Sequence, residues 1–190
     1  MCIYHIQINE NITAVFQIMI TGGHIAASYL LAEGAKQMGI PLTSIQVLGV
    51  LLAGNIIDLD FLVGLATGKK GELHHQNITH TPLGVVCIWI GINTVFKIPL
   101  AYALVLLISL FVHLILDDLG YWIYKLNLHK VKTNAQINWL YPFTPFSYND
   151  RISNNKDVLI YYLTKAWPVA LLEVVLIVIA VILYVYEAVI

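Results

Sequence analysis

Charge is scarce in this chain. Lys, Arg, Asp and Glu make up 11% of its 190 residues, about half the share of an ordinary soluble domain. Apolar residues reach 59% and the mean hydropathy is +0.78, so the chain is expected to pack against lipid as an integral membrane protein. Neither sign of charge is in excess. The net charge of −1 lacks the basic footprint of nucleic-acid binding, and no nucleic-acid partner is expected. Cysteine is nearly absent. Cys2 and Cys87 cannot build a disulfide framework, and Cys87, inside an apolar run, reads as a small core residue. No basic stretch precedes an apolar core near the start, so the pattern of a signal peptide is missing. Internal repeats and low-complexity tracts are missing too.

What is there is a series of apolar segments separated by breaks. Ile12 to Ile20 is too short to span a bilayer. Met19 stands just before "ITGGHIAAS", so residues 1–18 read either as an upstream extension or as a short interfacial helix, with residues 19–190 forming one helical domain. His24 to Met38 has helical periodicity and ends at Gly39-Ile40-Pro41. Ile45 to Ala66 is long enough to span. Leu83 to Phe96 falls short of a span, and with Ile98 to Leu116 it makes a helical hairpin. Residues 117–165 are polar and aromatic and belong at the interface, where Trp139, Tyr141, Phe143, Phe146 and Tyr148 read as an aromatic belt. Ala166 to Ile190 is a last apolar helix interrupted by Glu173. The fold class is therefore an all-α membrane bundle.

Polar residues gather where the apolar segments end. The stretch Gly71 to Pro82, "GELHHQNITHTP", holds three histidines within seven positions. Tracing the chain through the membrane brings His24, Asp58, Asp60, His75, His80, His113 and Asp117 to the same side as this stretch. His113 and Asp117 are four apart and share a helix face. Asp58 and Asp60 are two apart and would diverge on a helix, so the helix must end or unwind there for both to serve one cluster. Imidazole nitrogen with carboxylate oxygen is a ligand set for zinc, manganese or iron. Ionisable groups at membrane depth are costly unless paired or bound to metal. Each element also has a plainer reading: a polar helix start at His24, a helix cap at Asp58 and Asp60, a solvated histidine turn, and a hydrogen-bonded pair at His113 and Asp117. The shared side argues for a metal site, at one face of the membrane.

Basic residues locate that face. Of the ten, Lys69, Lys70, Lys125, Lys130, Lys132, Arg151, Lys156 and Lys165 lie on the side of the histidine turn, and only Lys36 and Lys97 lie opposite. By the excess of Lys and Arg in cytoplasmic loops, the site of this multi-pass chain should face the cytoplasm; the family resemblance given next implies a prokaryotic plasma (inner) membrane.

The motifs "GGHIAAS", "NIIDLDFL", "HHQNITHTPLG", "HLILDDLG" and "NWLYPF", in this order, resemble those of the YdjM-like family of membrane-bound, metal-dependent hydrolases. The likeness runs from about Gly22 to Phe146. It implies His24, Asp58, Asp60, His75, His80, His113 and Asp117 as metal ligands, with Thr79 orienting a ligand from behind. This chain departs from the family pattern at Gln76-Asn77, at Ile56-Ile57 and at Asp118-Leu119-Gly120, and His74 has no counterpart. The ligand order is also faintly similar to that of zinc-dependent phospholipase C. Together the likenesses imply hydrolysis of a phosphoester, with a lipid phosphoester suited to the membrane address, by a metal-activated water. The metal would be zinc in preference to manganese or iron. Asp58 or Asp60 would bridge metals, and the other would take a proton from water. Two other readings remain for the same ligands: a metal transporter, and a metal-binding scaffold without hydrolytic activity. Substrate, metal number and oligomeric state are not set by the sequence.

Overall fold

The computed structural model describes residues 10–60, 77–130, 137–145, 163–164 and 166–189. These form an all-helical bundle: α1 (Glu10–Gln37), α2 (Ser44–Ile56), a 3-10 turn (Ile78–His80), α3 (Pro82–Phe96), α4 (Leu100–Asp117), α5 (Leu119–Lys125) and α6 (Trp167–Val189). Among the described residues there is no strand. The hairpin and the last helix match the expected segments closely. Two other elements differ from the sequence reading.

The first is α1. It begins at Glu10 rather than at His24, so His24 sits in mid-helix. The Gly22-Gly23 pair before it is a packing surface. A Cβ at Gly22 would stand 3.3 Å from Ile177 Cδ1, and one at Gly23 would stand 2.9 Å from Glu173 Cγ. The pair lowers helix propensity, but it admits α6 against α1. The far end of α1 closes as expected. Gly39 takes φ +86°, and Ile40 N donates to Ala35 O at 3.0 Å while Gly39 N donates to Lys36 O at 2.9 Å, the paired hydrogen bonds of a glycine-terminated helix.

The second is α2, which stops at Ile56 instead of running to residue 66. Its start is well specified: Gln46 N donates to Thr43 Oγ1, and Thr43 N donates to Gln46 Oε1 at 2.8 Å, a reciprocal cap. At the other end Asn55 turns its side-chain amide back onto Leu51 O at 2.7 Å, a local bond that competes with helix continuation. Asp58 N then reaches Asn55 O at 3.2 Å and Asp60 N reaches Ile57 O at 3.3 Å, so the chain tightens just where the two aspartates stand. Residues 61–66 lie outside the described residues.

The helices pack around α4, which contacts α1, α2 and α3. Val50, Ile57, Val85, Leu110 and Leu114 are buried between them. Trp89 Nε1 donates to Ala103 O at 2.6 Å and pins α3 to α4. Ser109 Oγ on α4 donates to Val50 O on α2 at 3.0 Å and lies 3.1 Å from Ser28 Oγ on α1, so a small polar knot ties three helices. Gly54 lies in that knot: a Cβ there would collide with Ser28 Oγ and stand 2.7 Å from Ser109 Oγ.

Among the described residues two helices are long and apolar enough to cross a membrane, α4 with 18 residues and α6 with 23. At a rise of about 1.5 Å per residue they reach about 27 and 34 Å, against an apolar bilayer core of about 30 Å. α2 and α3, with 13 and 15 residues, are shorter than that core. Only 17% of the α6 segment is buried, and Val174, Val178, Val181 and Val185 turn outward, as a lipid-facing helix requires. Substituting Gly54→Ala should overfill the three-helix knot. The expected loss is about 2 kcal/mol, read as a lower thermal unfolding midpoint of the detergent-purified protein by circular dichroism, while an outward change such as Val178→Ala leaves the midpoint near wild type.

Candidate metal centre

The site grows from the last turns of α4. His113 and Asp117 project from one face, with His113 Nε2 3.1 Å from Asp117 Oδ2. The other ring nitrogen of His113 lies 2.7 Å from Gly54 O. That carbonyl is available because Asp58 N, its usual helical partner, bonds Asn55 O instead. A carbonyl only accepts, so Nδ1 carries the hydrogen and, in the neutral ring, Nε2 presents a lone pair. Nε2 is buried and makes no well-aligned hydrogen bond, although Asp58 Oδ1 is 3.2 Å away.

His80 arrives from the 3-10 turn. That turn folds back over the start of α3 because Gly84 has no side chain, since a Cβ there would strike Ile78 O and stand 3.0 Å from Thr79 Cα. Thr81 caps α3 through Gly84 N at 3.0 Å and Pro82 occupies the first helical position. His80 is fully buried. Its Nδ1 lies 3.0 Å from Asp60 Oδ2. The same oxygen accepts from Thr79 Oγ1 at 2.6 Å and from Asn77 Nδ2 at 3.0 Å. Three donors thus fix Asp60 behind His80, and Asp60 fixes the ring. His80 Nε2 faces the centre, 3.5 Å from Asp58 Oδ1 and 3.8 Å from Asp117 Oδ2. His24 closes the site from α1, with Nε2 3.3 Å from Asp117 Oδ1 and its ring centroid 4.2 Å from that of His113.

Two sets of donors could each hold a metal ion: His24, His113 and Asp117, and Asp58, His80 and His113, with ligand atoms within 4.8 Å of one another in each set. They share His113, whose only lone-pair nitrogen is Nε2. The two sets are therefore two sides of one pocket. Five of the seven residues expected from the sequence meet there: His24, Asp58, His80, His113 and Asp117. Asp60 stands one step back and holds His80 by Nδ1. His75 lies outside the described residues. The donor set fits zinc, manganese or iron, and the buried Nε2 of His113 aimed between two carboxylates fits a cation better than it fits a closed hydrogen-bond network. Anchored histidines of this kind, each with its far nitrogen held by an acceptor, are the usual support of a metal site.

Two residues with structural roles here escaped the sequence reading. Asp118 is buried and accepts from Trp139 Nε1 at 2.7 Å and from Ile137 N at 3.5 Å. It ties residues 137–145 to the end of α4 beside Asp117. Trp139 read as part of an aromatic belt, and the spacing that placed Asp117 beside His113 gave no role to Asp118. Asn77 was noted only as a departure from a family pattern, yet it holds Asp60.

These features define a helical membrane protein with a histidine and aspartate cluster at one end of its bundle. The chain belongs to the YdjM inner membrane protein family, whose family model matches residues 19–190. No curated protein and no solved structure matches the chain. Removing the support behind His80 should separate orientation from ligation. Asp60→Asn is expected to weaken zinc binding by about 10- to 100-fold, measured by competition with a chelator, with helix content unchanged by circular dichroism. Unchanged affinity would mean that Asp60 does not set the His80 ring.

Proposed function

We propose that this protein is a membrane-embedded, metal-dependent hydrolase that acts on a phosphoester, with a lipid phosphoester the substrate best suited to its location. The observation that carries the reading is the convergence of His24, Asp58, His80, His113 and Asp117, with the tautomers of His80 and His113 fixed from behind. His75 is kept with them as a further ligand on the strength of the motif. When bound, a divalent ion, with zinc preferred over manganese or iron, supplies Lewis acidity for the ester and activates water.

The chain's own residues divide the remaining work. His113 and His80 offer Nε2 from fixed rings, and Asp117 turns one oxygen toward His24 and the other toward His113. Burial distinguishes Asp58 from the rest. Its side chain is 24% exposed, whereas those of His24, His80, His113 and Asp117 are at most 2% exposed. Asp58 therefore stands at the mouth, where water and substrate enter, and is the residue placed to take a proton from the attacking water. Asp60, turned to His80, acts through that ring. This narrows the two aspartates of the sequence motif to different roles. The distribution of lysines supports a mouth that opens to the cytoplasm, in a chain that crosses the inner membrane several times.

The test begins with metal content. Detergent-purified wild type should retain a divalent ion by elemental analysis, and His113→Ala and His80→Ala should lose it while remaining helical and monodisperse. Metal-loaded wild type should then cleave a lipid or generic phosphoester. Asp58→Asn, which keeps an oxygen donor but no basic carboxylate, should lower the turnover number by at least about 100-fold when assayed at saturating metal. Wild type that takes up no zinc, manganese or iron would overturn the reading, and so would loaded protein inert across lipid and generic phosphoesters.

A further inference from the structure

Beyond α4 the chain builds two short, well-ordered tips that the metal centre does not use. The first is the close of α5. Asn127 takes φ +57°, Leu128 N donates to Ile123 O at 3.0 Å and Asn127 N donates to Tyr124 O at 3.0 Å, the paired bonds of a helix that ends on a left-handed residue. In that motif the residue after the left-handed one commonly packs back on its helix. Here Leu128 is 73% exposed and Leu126 is 65% exposed.

The second tip is a loop closed by one side chain. Asn138 Nδ2 donates to Thr144 O at 3.0 Å and to Pro145 O at 3.2 Å, while Asn138 Oδ1 accepts from Thr144 Oγ1 at 2.7 Å and from Leu140 N at 3.3 Å. Phe143 N donates to Leu140 O at 2.8 Å. The loop is ordered by its own hydrogen bonds, yet its crown is Leu140, 64% exposed, and Phe143, 91% exposed. The two tips are joined at their bases. Trp139 meets Trp122 of α5 edge-on, with centroids 6.1 Å apart, and its Nε1 bonds Asp118 at the junction of α4 and α5.

Turns that face water draw on Gly, Pro, Asn, Asp and Ser. Four large apolar side chains held out on fixed backbone make a surface for an apolar partner, and three observations identify that partner as lipid. α4 is long and apolar enough to span the membrane and α5 follows it after one residue, so the tips stand at the membrane boundary. Exposed apolar side chains recur every seven residues along this path, at Ile108, Ile115 and Trp122, which carries the outer face of α4 on to the contact between Trp122 and Trp139. Lys125 and Lys130 are exposed next to Leu126 and Leu128 in the chain, and basic groups set among apolar ones suit an anionic headgroup layer.

We propose that the end of α5 and the Asn138 loop form a lipid-binding surface, which sets Leu126, Leu128, Leu140 and Phe143 into the leaflet on the side of the metal centre and Lys125 and Lys130 against its anionic headgroups. Asp118, which fixes the loop, directly follows Asp117, so the surface is built onto the helix end that carries the centre. It stands whether or not the centre binds metal or cleaves a phosphoester.

The test uses the full-length chain with Cys2→Ser and Cys87→Ser, reconstituted into vesicles of phosphatidylcholine with a minority of phosphatidylglycerol. A bimane fluorophore is attached at Phe143→Cys or, separately, at Leu128→Cys, both exposed positions, and Val178→Cys on the outward face of α6 gives a lipid reference. Brominated acyl chains are expected to quench both tip probes, and aqueous iodide is not. Bromine on phosphatidylglycerol should quench more strongly than the same mole fraction on phosphatidylcholine, and that preference should disappear in the double variant Lys125→Gln, Lys130→Gln. Quenching by iodide and not by brominated lipid would overturn the proposal, because the tips would then stand in water. Quenching by neither would overturn it too, since a protein surface, a second copy of the chain included, would then cover them. Equal quenching by the two brominated lipids without the lysine changes would overturn the assignment to anionic headgroups.

Discussion

The hydrogen bond from His113 Nδ1 to Gly54 O is the contact on which the rest of the site depends. It joins the last turns of α4 to the last turn of α2 and decides which nitrogen of His113 faces inward. It exists only because three conditions hold together. α2 must tighten after Gly54, so that the carbonyl is released from its own helix. Gly54 must lack a side chain, so that α1, α2 and α4 can meet there. The Ser28 and Ser109 hydroxyls must hold the three helices at that spacing. A backbone carbonyl is a fixed acceptor on a rigid element, which makes it a more exact positioning group than a surface side chain. One hydrogen bond thus converts helix packing into the orientation of a donor atom.

Electrostatics explains why such a cluster is stable at all. Asp58 and Asp117 place oxygens on either side of one buried imidazole nitrogen, in a bundle whose outer surface is apolar. Carboxylates so placed are costly unless a positive charge or donated hydrogens compensate. Asp60 shows the compensated case, since one of its oxygens collects donors from Thr79, Asn77 and His80. Asp118 shows it again with Trp139 and Ile137. The inner donors differ, because they face one another across the pocket. Charge balance there calls for positive charge, and the acceptors behind His80 and His113 turn the Nε2 of each toward the place where a cation would sit.

Much of this was legible in the sequence, for a simple reason: helical periodicity and topology depend on local spacing. His113 and Asp117, four apart, had to share a face. The alternation of helix directions had to bring the histidine turn, the two aspartates and the end of α4 to one side. The need for the chain to tighten at Asp58 and Asp60 followed from their separation of two. The rest was hidden because it belongs to the backbone or to close approach. No pattern announces that Gly54 lends its carbonyl, or that Gly22 and Gly23 mark a helix crossing. The different tasks of Asp58 and Asp60 depend on which way each carboxyl turns, and that is fixed by Thr79 and Asn77, seventeen and more residues away.

The middle of α1 and its C-terminal part carry different chemistry, and the packing of α6 joins them. Near His24 the approach of α6 is set by shape, through glycines that leave room for Glu173 and Ile177. Farther along it is set by the hydrogen bond from Tyr29 Oη to Glu187 Oε2 at 3.3 Å and the edge-on contact of Tyr29 with Tyr184. A helix held by shape at one end and by polar contacts at the other can loosen at the polar end without dismantling the packed one. The metal centre draws its donors from α1, α4, the end of α2 and the 3-10 turn, and none of those named comes from α6. The candidate centre and the far end of the α1–α6 contact are therefore separate in the fold. Glu173 brings α6 closest to the centre, buried against Gly23 one residue before His24, so the position of His24 is one route by which the seating of the last helix reaches the candidate site.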